Sequence, residues 1–494
     1  MSFPRASSES QAAESDSGCA PADGGEAKPP DGAGCPERSV PPPLTPLLPL
    51  QLPAISRRHI YTGAMGSTHF TLLTGMILVA YMRELGLTYR GIGVLSGLSA
   101  FAIVFQLVGA HVTSLIGRRK TFWFYCAMIE RICRGLAVVL PFYLVRHSTS
   151  YATVALVGFL TLAQVFLALA VTPWMSWFAD IIPAKEHGRF WGRRQAWISF
   201  ALVLVILPCA AFIDRWTDAG LRTEAMLLVF ALALGLGYVD LFIHRTIPEP
   251  AMRPEPQRRL GATALAALRN RRFRPWLVFT GAWSFSMQLG AVASVLYINE
   301  YLGFDHNLFV GMLVLVAVPQ VSTILMGRYV GGLIDRLGTR PVLRASYAVW
   351  ALTLLALALI SPGPGAGAFM AGLFLISNFA VISAANAANK LVTRLPRRED
   401  RSMYLAVSSC VGCLALGVGS LAGGEALEAF KGWSWQLGGR EVVGYHVLFA
   451  ISTVLRLASL TLTRWLPSPA AERAHIDEVE EERRASRRLA KPVA

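Results

Sequence analysis

The chain has 494 residues, 54% of them hydrophobic and only 16% charged, where a soluble domain carries about 25% charged residues. That excludes a soluble globular protein and leaves one that crosses a membrane many times. The formal net charge of +15 would suggest nucleic acid as a partner in a soluble chain, but here the basic residues crowd short loops between apolar runs, so the expected partners are the lipid bilayer and a small solute, with no nucleic acid. The seven cysteines form no spaced framework, so no disulfide scaffold is implied.

Residues 1–56 are rich in Pro, Gly, Ser and Ala and lack both apolar periodicity and the hydrophobic core of a signal peptide. A retained, disordered cytoplasmic tail is expected there. Six apolar runs follow, each near the ~20 residues that one crossing needs. They cover about His59–Met82, Arg90–Leu115, Thr121–Leu144, Tyr151–Phe178, Trp197–Ile213 and Ala225–Ile243, and they predict an N-terminal six-helix bundle over residues 57–244. The third run carries Glu130, Arg131 and Arg134 near its middle. Each helical residue turns by about 100°, so these three share one side and face protein rather than lipid. Glu130 and Arg134 are spaced to pair, which leaves Arg131 for a second acid or an anionic solute. The fourth run ends in Asp180-Ile181-Ile182-Pro183-Ala184-Lys185-Glu186-His187-Gly188-Arg189, where the proline stops the helix and the glycine permits a turn.

Pro248-Glu249-Pro250 opens an arginine-rich connector, residues 245–273, within which Ala262–Leu268 has helical propensity. Six further runs, about Trp276–Tyr301, Leu308–Ile334, Val342–Ile360, Ala368–Val392, Leu405–Ala422 and Val443–Leu466, predict a C-terminal bundle over residues 274–466. Val295-Leu296-Tyr297-Ile298-Asn299-Glu300 echoes Val79-Ala80-Tyr81-Met82-Arg83-Glu84, and duplication of a six-helix unit is the simplest account. Residues 467–494 read as a second cytoplasmic tail, of mixed charge. Cys410 and Cys413 are spaced like half a metal site, but no second Cys or His pair accompanies them, and no metal is expected.

Between the eighth and ninth runs lies Gly331-Gly332-Leu333-Ile334-Asp335-Arg336-Leu337-Gly338-Thr339-Arg340. A cluster of glycine, acid and arginine cannot sit in hydrocarbon, so it marks a tight turn at the membrane surface. Its spacing, G-x-L-x-D-R-x-G-x-R, resembles at every fixed position the signature cytoplasmic loop of the major facilitator superfamily. The corresponding loop of the first half, Ser114 to Lys120, resembles it only at its basic end, with Ser114 where the family usually places an acid. The Asp180 to Arg189 stretch resembles the loop that follows the fourth helix in many facilitators, with His187 where arginine is usual.

The resemblance implies an all-α, twelve-helix membrane protein of two pseudo-symmetric six-helix bundles. It also implies a transporter rather than an enzyme, in which the halves rock around a site at the bilayer centre. Gly331, Asp335, Arg336, Gly338 and Arg340, with Asp180, Pro183, Gly188 and Arg189, are then the candidate gating loops. In that family helices one, four, seven and ten line the cavity, and the middle of those runs holds His69, Gln164, Gln288 and Asn378. These four are the candidate solute ligands. Glu130, Arg131 and Arg134 form a candidate coupling or structural ion cluster. Amides and one imidazole suit a neutral or zwitterionic hydrogen-bonding solute, with His69 as the candidate for proton linkage. No phosphate-binding loop of the form G-x-x-x-x-G-K-[ST] occurs, so transport would be secondary or facilitated, without a cofactor beyond a proton or another coupling ion. The excess of basic residues in one set of loops places both termini in the cytoplasm, with a monomer in the cell membrane as the expected form. Two other readings stay open: a proton-coupled drug or metabolite exporter, against which the lack of glycine in the fifth run counts, and a transporter-like receptor or assembly factor acting through its tails.

Overall fold

The computed structural model describes residues 52–181, 187–250, 260–304, 307–394, 401–437 and 440–466. Among the described residues, eleven helices are long and apolar enough to cross a membrane: Ala54–Glu84, Tyr89–Thr113, Thr149–Phe178, Phe190–Thr217, Arg222–Arg245, Arg274–Tyr301, Leu308–Leu325, Thr339–Ala358, Ala366–Val392, Tyr404–Ala429 and Gly444–Trp465. A further helix, Arg119–Leu144, has 26 residues, or about 39 Å of length. It misses the apolar criterion because Glu130, Arg131 and Arg134 fall together in its middle, and all three are buried against its neighbours rather than turned to lipid. Counting it, the described residues cross twelve times, and we number these spans one to twelve in chain order. An even number of crossings brings residues 52 and 466 to the same end of the bundle, called here the basic end because Arg118, Arg119 and Arg336 turn there.

The turns at that end are short because glycine closes them. The helix of span two stops at Gly117, whose φ is +68°. The helix Val318–Leu337, which carries span eight onward, stops at Gly338, with φ +87°. A side chain at a positive φ is strained, so glycine lets each helix stop with no more than two residues before the next. The first spans of the two halves are tied in the same way. The Tyr81 hydroxyl donates to the Val138 carbonyl at 2.6 Å, and the Tyr297 hydroxyl donates to the Ile360 carbonyl at 2.6 Å. The sequence echo around these tyrosines is therefore an echo of structure, with the first span of each half anchored to the third.

Large apolar side chains such as Tyr125, Val154, Leu204, Val278, Ile376 and Val454 are exposed on the outer faces of the spans, as a lipid-facing surface requires. The buried apolar residues form three clusters. One draws on both halves at the end away from the basic loops, joining Met76, Leu85 and Ile213 to Leu296, Leu308 and Leu427. The other two lie toward the basic end, one in each half, around Trp123 and Trp177 and around Trp276 and Leu343. Among the described residues the apolar core is thus continuous between the halves at one end and divided at the other.

The connector contains the helix Leu260–Arg269, two residues longer at its start and one at its end than its propensity suggested. Ala267 on it is buried in the C-terminal cluster, and the Asn270 amide just beyond donates to the Tyr404 hydroxyl at 2.8 Å. A two-stranded antiparallel hairpin, Ser434–Leu437 with Arg440–Val443, joins spans eleven and twelve at the opposite end.

Candidate functional site

A cavity of about 450 Å³ lies between the halves, walled by spans one, two, three, four, seven and eleven. Most of its lining is apolar, and its polar groups are Thr74, Ser96, Ser99, Arg134, Gln164 and Gln288. An apolar pocket with a few convergent polar groups is the usual form of a small-molecule site.

Span one is not continuous where it meets this cavity. Its helix runs from Leu52 to Leu72, breaks at Leu73 and Thr74, and resumes as Gly75–Glu84. Thr74 is extended and Gly75 has φ +63°, a conformation that glycine adopts without strain. The break frees backbone groups in mid-membrane that must find partners. One is the Leu73 carbonyl, which accepts from Arg134 Nη1 at 3.4 Å.

Behind the cavity wall, spans one, three and six meet around buried charges. Arg134 Nε donates to Glu130 Oε1. Arg131 Nη1 donates to Glu130 Oε2 at 3.2 Å, Arg131 Nη2 to Asp240 Oδ2 at 2.8 Å and Arg131 Nε to the Gly237 carbonyl at 2.7 Å. His244 Nδ1 lies 2.7 Å from Asp240 Oδ1, and its Nε2 accepts from Trp174 Nε1 at 3.3 Å, so the Nδ1 proton points to the aspartate. With neutral imidazoles the two arginines and two carboxylates cancel. That balance is what lets charges persist out of water, since an unpaired buried ion costs several kcal/mol.

The halves are sealed at the end opposite the basic loops. Glu300 at the end of span seven meets Arg83 Nε at 2.5 Å and accepts from the hydroxyls of Tyr89 at 2.6 Å and Tyr445 at 2.8 Å. Arg90 pairs with Glu425 at 2.7 Å. Asp214 on span five accepts from the backbone N–H groups of Leu308 and Phe309, 2.8 Å each, and so caps a helix of the other half. Gly93 and Gly424 let spans two and eleven touch, since a Cβ on Gly93 would lie 2.7 Å from the Gly424 Cα. Nearer mid-depth the Ser199 hydroxyl donates to Gln320 Oε1 at 2.6 Å. Between described residues, no hydrogen bond or ion pair joins the halves closer to the basic end than that one.

Of the four candidate solute ligands, Gln164 and Gln288 border the cavity. His69 does not: its Nδ1 lies 2.9 Å from the Ala233 carbonyl, its ring packs on Gly237, and Nε2 faces Glu130 Oε2 at 3.9 Å. The helix turns it away from the cavity and into the ion cluster. Asn378 is also turned away, because its amide donates to the Pro319 carbonyl at 2.8 Å and to Thr323 Oγ1 at 3.1 Å, tying span ten to span eight. Within the cluster, Glu130 and Arg134 pair and Arg131 meets a second acid, Asp240. Arg134 also reaches the cavity. Asp240 and His244 were missed by the sequence reading, although an acid and a histidine four residues apart in an apolar run signal a buried pair.

Of the candidate gating residues, Arg336 is exposed, Gly338 makes the turn into span nine, and Arg340 Nη2 donates to the Arg464 carbonyl at 2.9 Å. Pro183 lies outside the described residues, as do the side-chain placements at Asp180, Arg189 and Asp335 and the environments of Gly188 and Gly331.

The family model described as Major Facilitator Superfamily matches residues 61–420 and 315–492. The chain belongs to this superfamily. Membership makes it a multi-pass membrane transporter rather than an enzyme, and solved facilitators share its fold. A D-xylose-proton symporter superposes with TM-score 0.62 at 18% identity, over 84% of this chain and 98% of the other. A bacterial homologue of the iron transporter ferroportin, in its inward-facing state, gives 0.60 at 13%, over 84% and 99%. The nucleoside transporter NupG gives 0.59 at 15%, over 83% and 98%. Identities this low establish the shared fold alone. No curated protein matches the chain in sequence. Within this superfamily the Arg119–Leu144 helix, with its buried ions, takes the place of the third transmembrane helix.

Proposed function

We propose that this facilitator is a secondary transporter that carries a small hydrogen-bonding solute by alternating access, as a monomer in the cell membrane. The two bundles, residues 57–244 and 274–466, are the moving bodies, and residues 245–273 link them. The basic end, with both termini, faces the cytoplasm, as the positive-inside rule requires. The conformation described is then the inward-facing one. The observation that carries this reading is a cavity between the halves, bordered by Gln164 and Gln288, beneath a seal of cross-half ion pairs at the end opposite the basic loops. Asp335, Arg336, Gly338 and Arg340, with the Asp180, Pro183, Gly188 and Arg189 loop, are the elements that close the cytoplasmic end when the seal opens.

Because Arg134, which borders the cavity, is balanced by Glu130 behind the wall, the site suits a load of no net charge: a neutral or zwitterionic solute, or an ion carried with a compensating proton. Liposomes holding the purified protein should take up at least one member of a panel of sugars, amino acids, nucleosides and carboxylates. Gln164→Ala and Gln288→Ala should each lower that flux several-fold at matched insertion, because each removes a hydrogen bond worth about 0.5–1.5 kcal/mol. A parent protein that moves none of these, or variants that match the parent, would overturn the reading.

A further inference from the structure

Resting on that transport reading, we propose that the cavity takes a monocarboxylate together with one proton. The carboxylate sits between Arg134 Nη2 and the N-terminus of the Gly75–Glu84 helix, and the proton sits on His69 Nε2 against Glu130. Two independent features meet at the anion position. The first is the start of the ten-residue helix Gly75–Glu84, whose N-cap residue Thr74 makes no side-chain hydrogen bond to it and donates its hydroxyl to the Phe70 carbonyl instead. Uncapped first-turn N–H groups at a helix N-terminus attract an anion. The second is Arg134, which is 1% exposed yet borders the same cavity, and whose Nη2 has no hydrogen-bond partner. Its Nη1 bond to the Leu73 carbonyl holds the guanidinium beside the break, and Nε is engaged by Glu130. Nη2 is left over, and a carboxylate is the group that takes its hydrogens with a charge-assisted bond.

The proton follows from His69. A carbonyl only accepts, so the 2.9 Å contact with Ala233 fixes the hydrogen of a neutral imidazole on Nδ1. That leaves Nε2 as a lone pair, without a hydrogen-bond partner, facing Glu130 Oε2 at 3.9 Å. Two acceptors facing each other in a buried site lack one proton between them. The other charged or titratable groups around them are Arg131, Cys133 and Arg134 on span three, Tyr238, Asp240 and His244 on span six, and Arg194 on span five, which packs on Gly63 of span one. Glu130 and Asp240 balance Arg131 and Arg134, the two arginines in contact with them, while Arg194 lies over the Trp174 and Trp191 rings and makes no ion pair with either acid among the described residues. A carboxylate added at Arg134 therefore leaves one negative charge within the paired set, and one proton on His69 restores its neutrality. Protonated His69 also draws on the carboxylate that engages Arg134. Each ligand thereby strengthens the other's binding, and linkage makes the effect reciprocal.

The test is binding by the purified full chain in weakly buffered detergent. Hexanoate, phenylacetate and N-acetyl-leucine are each compared with the matching amide. At neutral pH at least one acid should raise the melting temperature more than its amide does and take up one proton per molecule bound, read with a pH dye. His69→Gln keeps a donor for Ala233 and should abolish the proton uptake while weakening the acid roughly tenfold or more. Arg134→Lys keeps a charge beside Glu130 and should erase the preference for acid over amide. No stabilisation by any acid, equal binding of acid and amide, no proton uptake, or an unchanged preference in Arg134→Lys would each overturn the inference. Binding is measured without a membrane, so a protein that binds acid and proton yet moves nothing into liposomes overturns the transport reading instead.

Discussion

In the N-terminal half, spans one, three and six meet around Glu130, Arg131, Arg134, Asp240 and His244, a set whose charges cancel pair by pair. Where spans seven, nine and twelve meet in the C-terminal half there are rings instead. Trp283 lies 4.2 Å from Tyr347 and 5.4 Å from Trp350 between ring centroids, and Phe279 lies 5.2 Å from Tyr347. One charge, Arg456, is buried among them. Two bundles with the same helix plan are thus held in their middles by different forces. Ion pairs fix partners and directions and are costly to break singly, whereas aromatic packing is gained by area and tolerates substitution of similar volume. The half that borders the cavity with a charged group is the one with the ionic core, so the machinery for charge compensation sits where a charged load would need it.

The largest effect should come from breaking the ionic core asymmetrically. Asp240→Ala leaves Arg131 and His244 without their shared acid and should cost about 3–5 kcal/mol of stability, the range for a buried pair that loses one partner. Thermal unfolding in detergent measures it. Adding Arg131→Met to Asp240→Ala removes the stranded charge and should recover part of the loss; a double variant no better than the single one would mean that packing, not charge, holds this half. A smaller effect is expected where the halves meet. Glu300→Gln turns charge-assisted contacts with Arg83, Tyr89 and Tyr445 into neutral ones, a loss of about 1.5–3 kcal/mol. That should shift the balance between sealed and open forms roughly tenfold to a hundredfold toward opening. Labelling of Leu78→Cys by an impermeant thiol reagent applied at the sealed end should speed up accordingly, and an unchanged rate would show that the apolar cluster alone holds the seal.

Depth along a span was legible in the sequence, and rotation about the helix axis was not. The spans were placed from hydropathy to within a few residues at most ends, because the requirement for ~20 apolar residues acts locally. The pairing of Glu130 with Arg134 was readable because helical spacing settles it. His69 and Asn378 were assigned to the cavity on depth, and both were missed by rotation: Ala233 draws one aside and Pro319 the other. The break at Leu73 and Thr74 has no marker beyond Gly75, and a single glycine in an apolar helix rarely breaks it. Arg83 and Glu300 both lie in the echoed stretches, where Arg83 answers Asn299 and Glu300 answers Glu84, but a repeat pattern carries no information on which residues meet across the two halves. Arg456 is an ionisable residue in an apolar run and carries the same signal as the charges of span three.

That arginine gives the smallest and most discriminating of the three effects. Arg456 is buried, donates to the carbonyls of Met287 at 2.9 Å and Trp350 at 3.5 Å, lies over the Trp283 ring at 5.9 Å, and meets no carboxylate among the described residues. Replacing it with methionine keeps a long flexible side chain against the rings and removes a charge that burial disfavours. Both carbonyls belong to helices, so neither depends on Arg456 for its only hydrogen bond. Arg456→Met should therefore change stability by only about 1 kcal/mol in either direction, since the lost hydrogen bonds offset the relief of a buried charge. If instead it costs as much as Asp240→Ala, the C-terminal half also depends on a compensated charge, its counter-ion lies outside the described residues, and the contrast between the two cores fails.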